Sequence, residues 1–546
     1  MDGPVVSPLG DRAILVTLSQ EISEETNELV QKASREIEGA SIPGVQEVQP
    51  AYSSFCVHFD PSRVSASWLG AYALQTVGRI ASGRETPAGD VRSVSPREVL
   101  IPVKYGGKDG PDLEWASGYL GMTKDEIIRR HAKPTYKVYM IGFLPGFPYL
   151  GGLDPELSMP RTPAPRASVP PGSVGIAGRQ TGIYPWESPG GWRIIGRTSL
   201  VLFDPYREDP SLLHPGDAVR FVPVEELENP PQVPATGKEK CRPSVPAFEV
   251  ERPGLFSIVV DGGRRGFRKL GVPLSGAADS RSYALANILC GNNPAAPALE
   301  MTLWGARIRA LVDVVVAVTG APCPVEVDGR PVSMDEPVRV RAGSVVDVGS
   351  PPCGCRMYMA VSGGFSVPEV LGSASTYARG SFGGYRGRPI RQGDVLEVGP
   401  GPSLAGDTGA ISDVPVPLKY WPATLARFLG EKPHVLRVIP GPEALTQEGK
   451  KAFQDLSGQV FVVRNDSDRM GIRFEGRITG EYGGGDILSS PVVPGVVQLP
   501  SDGSPVLLLH DAQTSGGYRR IAAVVSDDLS LAAQLRPGCR VRFIPA

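Results

Sequence analysis

The amino-acid sequence predicts a mainly β protein with an α+β domain at its N-terminus. Three observations point there. Glycine (66) and proline (55) together make up more than a fifth of the 546 residues, against a usual share of about 12%, and such punctuation suits many short strands joined by turns. Beyond Lys133 the chain breaks into short apolar runs separated by Pro and Gly as far as Pro223. Three phrases also recur in one order. VPPGSVGI (169–176), SPGGWRIIGRT (188–198) and HPGDAVRF (214–221) are echoed by VVPGVVQL (492–499), TSGGYRRIA (514–522) and RPGCRVRF (536–543). This repeat implies a duplicated β domain.

The elements follow in chain order. DRAILVTL (11–18) and AYSSFCVHF (51–59) read as strands, and between them 21–38 puts Leu29, Val30, Ala33 and Ile37 on one helical face. A second helix covers 66–80, so residues 1–95 form the α+β domain. EVLIPVKY (98–105) opens a β domain spanning 96–226, in which Thr123-Lys-Asp-Glu126 is a capping box that starts a helix. Proline density and lost periodicity assign 227–253 to a linker. A further β domain spans 254–414, with a helix over 279–290 ended by Gly291. After an irregular stretch at 398–422, a last β domain fills 415–546, with a helix near 444–456.

A net charge of −2 gives no electrostatic reason to expect nucleic acid or an anionic membrane as partner. The N-terminus shows no secretory signal, and the apolar run 311–318 is too short to span a bilayer. Seven cysteines lack a framework, which suits the cytoplasm. No P-loop, dinucleotide fingerprint, nucleophile elbow or amidase signature occurs, and five histidines are too dispersed to suggest a metal centre.

Several stretches could carry chemistry. YMIGFLPGFPYLGG (139–152), with Phe143, Pro145, Gly146 and Phe147, is either a rigid aromatic corner between sheets or a preformed wall for a flat ligand. Arg161 and Arg166 sit on a proline-stiffened loop that suits an anion or a surface ion pair. Gly190 and Gly191, like Gly516 and Gly517, supply either positive-φ turns or close backbone approach, with Trp192 and Tyr518 packing over them. GGRRGFRKLGVPLSGAAD (262–279) places Arg264 and Ser275 ahead of a helix N-terminus, where Asp279 reads as an N-cap in preference to a catalyst. Arg469 and Arg473, Gln498, Asp511, Gln513 and Thr514 mark a site or a solvated hairpin near the second Gly-Gly.

These phrases resemble a known pair of families. IPVKYGG (101–107), GFLPGFPYLGGLD, PRTPAPRASVPPGSVGIAG and SPGGWRIIGRT are similar to the family of KipI and the 5-oxoprolinase B subunit. DGGRRGFRKLGVPLSGAADS, ALANILCGNN, LEMTLWG, SDRMGIRFEG and QTSGGYRRIA are similar to that of KipA and the 5-oxoprolinase C subunit. Val260 and Ser490-Pro491 depart from the second pattern. The resemblance implies a natural B–C fusion with several cyclophilin-like β-barrel domains. It implies ATP with Mg²⁺ as co-substrate, 5-oxoproline as substrate, and a separate LamB/YcsF-like partner, the 5-oxoprolinase A subunit; homo-oligomerisation is open. Arg166, Asp279, Arg469 and Asp511 become the expected catalytic set, in one site between the halves, with no resident metal. Replacing Arg166 or Arg469 by Ala is then expected to lower turnover without changing the melting temperature. Two alternatives stay open: a carboxyltransferase component of a biotin-dependent urea or amide carboxylase, and a KipI/KipA-type regulator of a sporulation sensor kinase.

Overall fold

Four bodies of β structure follow one another along the chain. The computed structural model describes residues 3–84, 97–228, 243–400, 416–480 and 487–546. In the first body, strands Val5–Pro8, Ala13–Thr17, Ser54–Phe59 and Val45–Pro50 pair in that order as an antiparallel sheet. Helices Glu24–Gly39 and Ala66–Ala81 cover one face, each begun by a serine (Ser23, Ser65) whose hydroxyl accepts a first-turn N–H. Ile14, Val16, Phe55 and Val57 enter that core, whereas Ala13, Leu15 and Cys56 face the other way, onto Val492, Val496, Leu508 and Ala523 of the last body. With both faces covered, the strand reads as an unbroken apolar run instead of an alternation.

The second and fourth bodies are closed seven-stranded barrels of one topology. Around the first barrel run Glu98–Tyr105, Arg193–Arg197, Ser173–Ala177, Gln180–Ile183, Pro148–Gly151, Tyr136–Ile141 and Ala218–Pro223. Around the second run His434–Pro440, Arg519–Val524, Val496–Leu499, Val506–Leu508, Gly471–Glu475, Val460–Val463 and Arg540–Pro545. Each is closed by one parallel pair, its first strand against its last, in an otherwise antiparallel circuit. Each carries a short ribbon outside the barrel, in which Gly190 faces Arg166 and Gly516 faces Ser490. Both Gly-Gly phrases therefore occupy equivalent places, and Ser188 corresponds to Thr514.

Between the barrels, a seven-stranded and a five-stranded sheet pack face to face around Phe248, Val259, Met301, Ile308, Val316 and Met359. Helix Ser280–Leu289 covers the outer face of the smaller sheet, and Gly291 stops it at φ +72°.

Two boundaries differ from the sequence reading. Val245–Arg252, assigned to the linker, is a strand of the larger sheet, because Phe248 and Val250 are core residues despite the flanking prolines. Residues 229–242 of that linker lie outside the described residues. Within the irregular stretch, 401–415 likewise lies outside, but helix Trp421–Gly430 starts at its end. Trp421 there is 1% exposed, with Nε1 donating to Ser282 Oγ at 2.8 Å.

The halves interlock along several seams. Glu47, 3% exposed, accepts the Arg268 amide (2.6 Å) and Nη1 (2.8 Å). Gln49 Nε2 donates to Thr514 O at 2.7 Å. These buried polar partners explain why VQEVQP (45–50) forms a strand that hydrophobic patterning alone does not show. At the centre, the Phe143 amide donates to Ser515 Oγ at 2.9 Å, and Gly146 N donates to Leu270 O at 2.9 Å. A Cβ on Gly142 would fall on Ser515 Oγ, far inside van der Waals contact. Gly142→Ala is therefore expected to cost about 1–3 kcal/mol of stability through overpacking. The double variant Gly142→Ala/Ser515→Gly should lose less than the sum of its parts in urea melts; strict additivity would refute the contact.

Candidate functional site

The aromatic corner is built by the first barrel. Phe147, 1% exposed, packs at centroid distances of 4.9 Å on Tyr149, 5.2 Å on Tyr184 and 5.5 Å on Trp192. Tyr52 of the N-terminal body meets Tyr149 at 5.6 Å. These rings lie tilted or edge to face with one another, so the run is a rigid corner and the flat-wall reading of Phe147 and Trp192 does not hold. Phe143 is half-buried at φ +66° and packs edge-on against Phe147 at 5.7 Å. Pro145 turns its carbonyl to Trp186 Nε1 (3.0 Å), and Gly146 at φ +81° turns the loop.

What the corner offers are hydroxyl tips. The Tyr149 phenol lies within hydrogen-bonding reach of Ser489 and Ser515 of the last barrel, and burial pushes its pKa up to about 12. Burial does the same for Tyr184, also to about 12. Both stay protonated at neutral pH and act as neutral donors. Around them, Tyr52 Oη, Ser188 Oγ, Ser490 Oγ, Gln498 Nε2 and Thr514 Oγ1 are buried without a protein partner among the described residues. Such atoms call for water or a ligand, since leaving one unsatisfied costs about 1–3 kcal/mol.

The Gly-Gly phrases make room for these tips. Neither pair has positive φ, so the turn reading fails and close approach is the reason for glycine. A Cβ on Gly190 would sit 2.5 Å from Tyr184 Oη, and one on Gly516 would sit 2.7 Å from Gln498 Nε2. Gly517 is tight against Ile487 O (3.1 Å), whereas Gly191 has room and offers its carbonyl to Thr162 N at 2.7 Å. Gln513 is half-buried and Tyr518 is 39% exposed at the rim.

The arginines divide between separate places. Arg166 donates to Asp112 Oδ1 at 2.7 Å and to Trp192 O at 3.2 Å. Asp112 Oδ2 also accepts the Ile194 amide at 2.6 Å. Arg161 is exposed on the same loop. Arg473 is 56% exposed beside Asp466. Arg469 is 8% exposed inside the second half: Nε donates to Asp511 Oδ2 at 2.8 Å, Nη1 pairs with Glu300, and Nη2 donates to Gly276 O at 2.7 Å. Thus Arg166 and Arg469 share no partner, and the two guanidiniums do not meet in one inter-half site as expected. Nor does the expectation of an unchanged melting temperature hold for Arg469, which is a buried ion-pair hub.

That hub is shared by several expected residues. Burial raises the Glu300 carboxyl, but Arg469 and Arg356 outweigh it and hold it below the usual glutamate range. Asp279 caps its helix, accepting Ser282 N (3.0 Å), Ser282 Oγ (2.6 Å) and Gln534 Nε2 (2.7 Å), and burial raises its pKa. The N-cap reading holds. Ser275, at φ +52°, donates its amide to His510 O at 2.9 Å, and Arg264 is wholly buried next to it. Burial, then Arg469, lowers the His510 imidazole to about 4, so it is neutral. The strip 510–516 runs from this hub to the hydroxyl cluster under the aromatic corner. Sequence reasoning missed Asp112, Glu300, Ser489 and Ser515; Glu300 stands alone among the apolar neighbours Leu299 and Met301, a pattern that signals a buried, partnered carboxylate, whereas Asp112 lies in the charged stretch KDGPDLE and carries no such signal.

This double barrel with its Gly-Gly ribbons is that of a carboxyltransferase-type protein. Residues 4–213 match the family model for the carboxyltransferase domain, subdomain C and D, and residues 270–545 that for subdomain A and B. The chain belongs to this family, joining homologues of the B and C subunits of 5-oxoprolinase in one polypeptide. It is 41% identical to the 5-oxoprolinase B subunit of Bacillus subtilis over 41% of this chain and 94% of that protein. It is 35% identical to the 5-oxoprolinase C subunit of Escherichia coli over 54% of this chain and 90% of that one. The crystal structure of TTHA0988 is 35% identical, with a TM-score of 0.80 over 98% of this chain and 99% of that one. Among the described residues, no helix is long and apolar enough to cross a membrane.

Two outcomes follow from the geometry. Because Glu300 titrates below its ordinary value of 4.5 in the fold, its stabilisation is complete above that pH and is lost as pH falls through the lowered value. Glu300→Gln should therefore lower stability at pH 7 by about 3–5 kcal/mol and flatten the acid limb of melting temperature against pH; a parallel acid limb would contradict this. For the glycines, Gly516→Ala meets the movable end of Gln498 and should cost under about 1 kcal/mol, whereas Gly190→Ala meets a ring packed on Phe147 and should cost about 1–3 kcal/mol. Equal losses in denaturant melts would show that the two approaches are not different in kind.

Proposed function

We propose that this chain is the fused B–C component of an ATP-dependent 5-oxoprolinase. Together with a separate A subunit, it opens 5-oxo-L-proline to L-glutamate in the cytoplasm. One observation carries the reading: relatives named as the B and C subunits are covered over 94% and 90% of their lengths, side by side in a single chain.

A lactam resists water because nitrogen donation makes its carbonyl carbon a poor electrophile. In the proposed reaction the lactam oxygen attacks the γ-phosphorus of ATP, which travels with its Mg²⁺, and ADP leaves. Water then adds to the activated carbon and the C–N bond breaks with a proton passing to the amine, leaving an acyl phosphate. A second water adds to that carbon and phosphate leaves, giving the carboxylate of glutamate. The first step needs alignment and neutral donors near the oxygen more than a strong base. Tyr149 and Tyr184 hold their protons for that role, and the uncommitted Gln498, Thr514, Ser188 and Ser490 groups suit the amide and carboxylate edge of a small polar ring.

A second reading, a carboxyltransferase component acting on an amide with carboxybiotin, is favoured by the description of both matching family models. No observation favours the kinase-regulator reading. The test is glutamate release from 5-oxoproline. The purified chain alone should release essentially none, and the chain supplied with ATP and the A subunit should turn over steadily. Tyr149→Phe should lower that turnover about 10- to 1,000-fold, the range for loss of one preorganised donor. Carboxyl transfer from carboxybiotin to urea, with no glutamate formed even when the A subunit is present, would replace this reading with the second.

A further inference from the structure

A pocket of about 400 Å³ opens where the loop 383–387 of the middle body meets the first half. Val370, Gly383, Gly384, Tyr385 and Arg386 of the middle body line it, together with Tyr206 of the first half; Glu397, whose carboxylate accepts Ser244 Oγ at 2.6 Å, also lines it. Its size is that of a small-ligand site. Three features of its wall share one chemical meaning.

First, the loop 381–387 holds five residues in the left-handed region, including the non-glycines Ser381 and Arg386 at φ +55°. L side chains adopt that conformation only when their surroundings impose it. A Cβ on Gly384 would fall on Thr376 Oγ1, and one on Gly383 would fall on Ser375 O, so only glycine fits at either position. Second, the amides of Gly383, Gly384, Tyr385 and Arg386 donate to no protein group among the described residues, although both glycines are buried. Buried N–H groups are nearly always paired, and successive free amides in a left-handed turn form a concave cradle for an anion.

Third, a buried positive charge stands directly behind this cradle. Arg264 is 0% exposed and its guanidinium donates only to backbone carbonyls, Val370 O at 3.0 Å and Ser375 O at 2.7 Å, while its Nη1 has no partner among the described residues. The guanidinium lies 5.0 Å from the Phe382 ring centroid, and its Nη2 would be 2.7 Å from a Cβ on Gly383. Burial lowers its pKa only to about 10, so it carries its charge at neutral pH. Val370 and Gly383 belong to both the arginine cage and the pocket wall. Arg469 is ion-paired directly with two carboxylates, whereas Asp261 and Asp511 act on Arg264 only through space, without an ion pair.

We infer that this pocket is an oxyanion site for a phosphate group other than the one transferred at the hydroxyl cluster, either free phosphate or the terminal phosphate of a second nucleotide. The amides of 383–386 and the Arg386 side chain would contact the oxygens, with Arg264 supplying charge from behind. A carboxylate satisfies fewer donors than this cradle offers. Because Tyr206 comes from the first half, occupancy would also brace the two halves. Binding is measured on the chain alone, so its outcome does not depend on which reaction the hydroxyl cluster serves.

The experiment is calorimetric titration of the full chain with inorganic phosphate, ATP and glutamate, repeated on Arg386→Glu and Arg386→Ala. Arg386 is exposed, so both variants should fold, which a melting curve verifies. Phosphate or ATP should bind, with at least ten-fold weaker binding to Arg386→Glu and an intermediate loss for Arg386→Ala. ATP binding ten-fold or more tighter than phosphate assigns the site to a nucleotide, and equal affinities assign it to free phosphate. Absence of phosphate and ATP binding at millimolar concentration, glutamate binding as tight as phosphate and weakened in Arg386→Glu, or unchanged phosphate and ATP affinity in Arg386→Glu would each overturn the assignment.

Discussion

The seating of Gly142 and Phe143 against Ser515 is the contact on which the rest of this architecture depends. It brings a loop of the first barrel so close to the Gly-Gly ribbon of the second that no side chain fits between them. Tyr149 can reach Ser489 and Ser515 only because that seam is closed. The same loop leans on Leu270 through the Gly146 amide and on Trp186 through the Pro145 carbonyl. One stiff turn thus ties the hydroxyl cluster to both halves. Its prolines and glycines serve rigidity more than ligand contact, which a turn under three-way constraint requires.

Beneath it lies a second kind of constraint, made of buried charge. Glu300, Arg356, Arg469 and Asp511 are all under one-tenth exposed and tie the sandwich to the last barrel. Replacing such a set with apolar residues often leaves stability unchanged or improved, so its value here is orientation. Asp511 is held to Arg469 by both backbone and side chain, and the chain then runs directly to Thr514 and Ser515. The network therefore sets the position of the strip whose hydroxyls face the first barrel.

Much of this was legible in the sequence, and the failures have physical causes. Three phrases in fixed order announced two barrels of one topology because register and turn residues repeat whenever a fold repeats. The caps at Thr123 and Asp279, and Gly291 after its helix, marked helix ends through local geometry alone. What stayed hidden depends on partners far away in the chain. VQEVQP looked polar because its buried Glu47 and Gln49 find Arg268 and Thr514 in the other half. Helix Leu113–Leu120 escaped notice because it buries only Leu113 and Ala116 and lacks a side-chain cap. Arg469 read as a catalytic residue because nothing within SDRMGIRFEG shows that Glu300, far away in the chain, folds against it.

The duplicated barrels also diverged in an informative way. At equivalent positions a polar tip presses on the glycine Cα, but in the first barrel it belongs to Tyr184 and in the second to Gln498. A phenol braced by Phe147 is a fixed, neutral donor, whereas a primary amide on a flexible stem both donates and accepts and can turn. Ser188 and Thr514, the matching hydroxyls two residues upstream, are uncommitted in both. Duplication thus supplied two copies of one cradle, and substitution gave one a rigid tip and the other an adaptable one. Two identical barrels would present the same chemistry twice; these two present a fixed phenol donor and a turnable amide beside matching free hydroxyls.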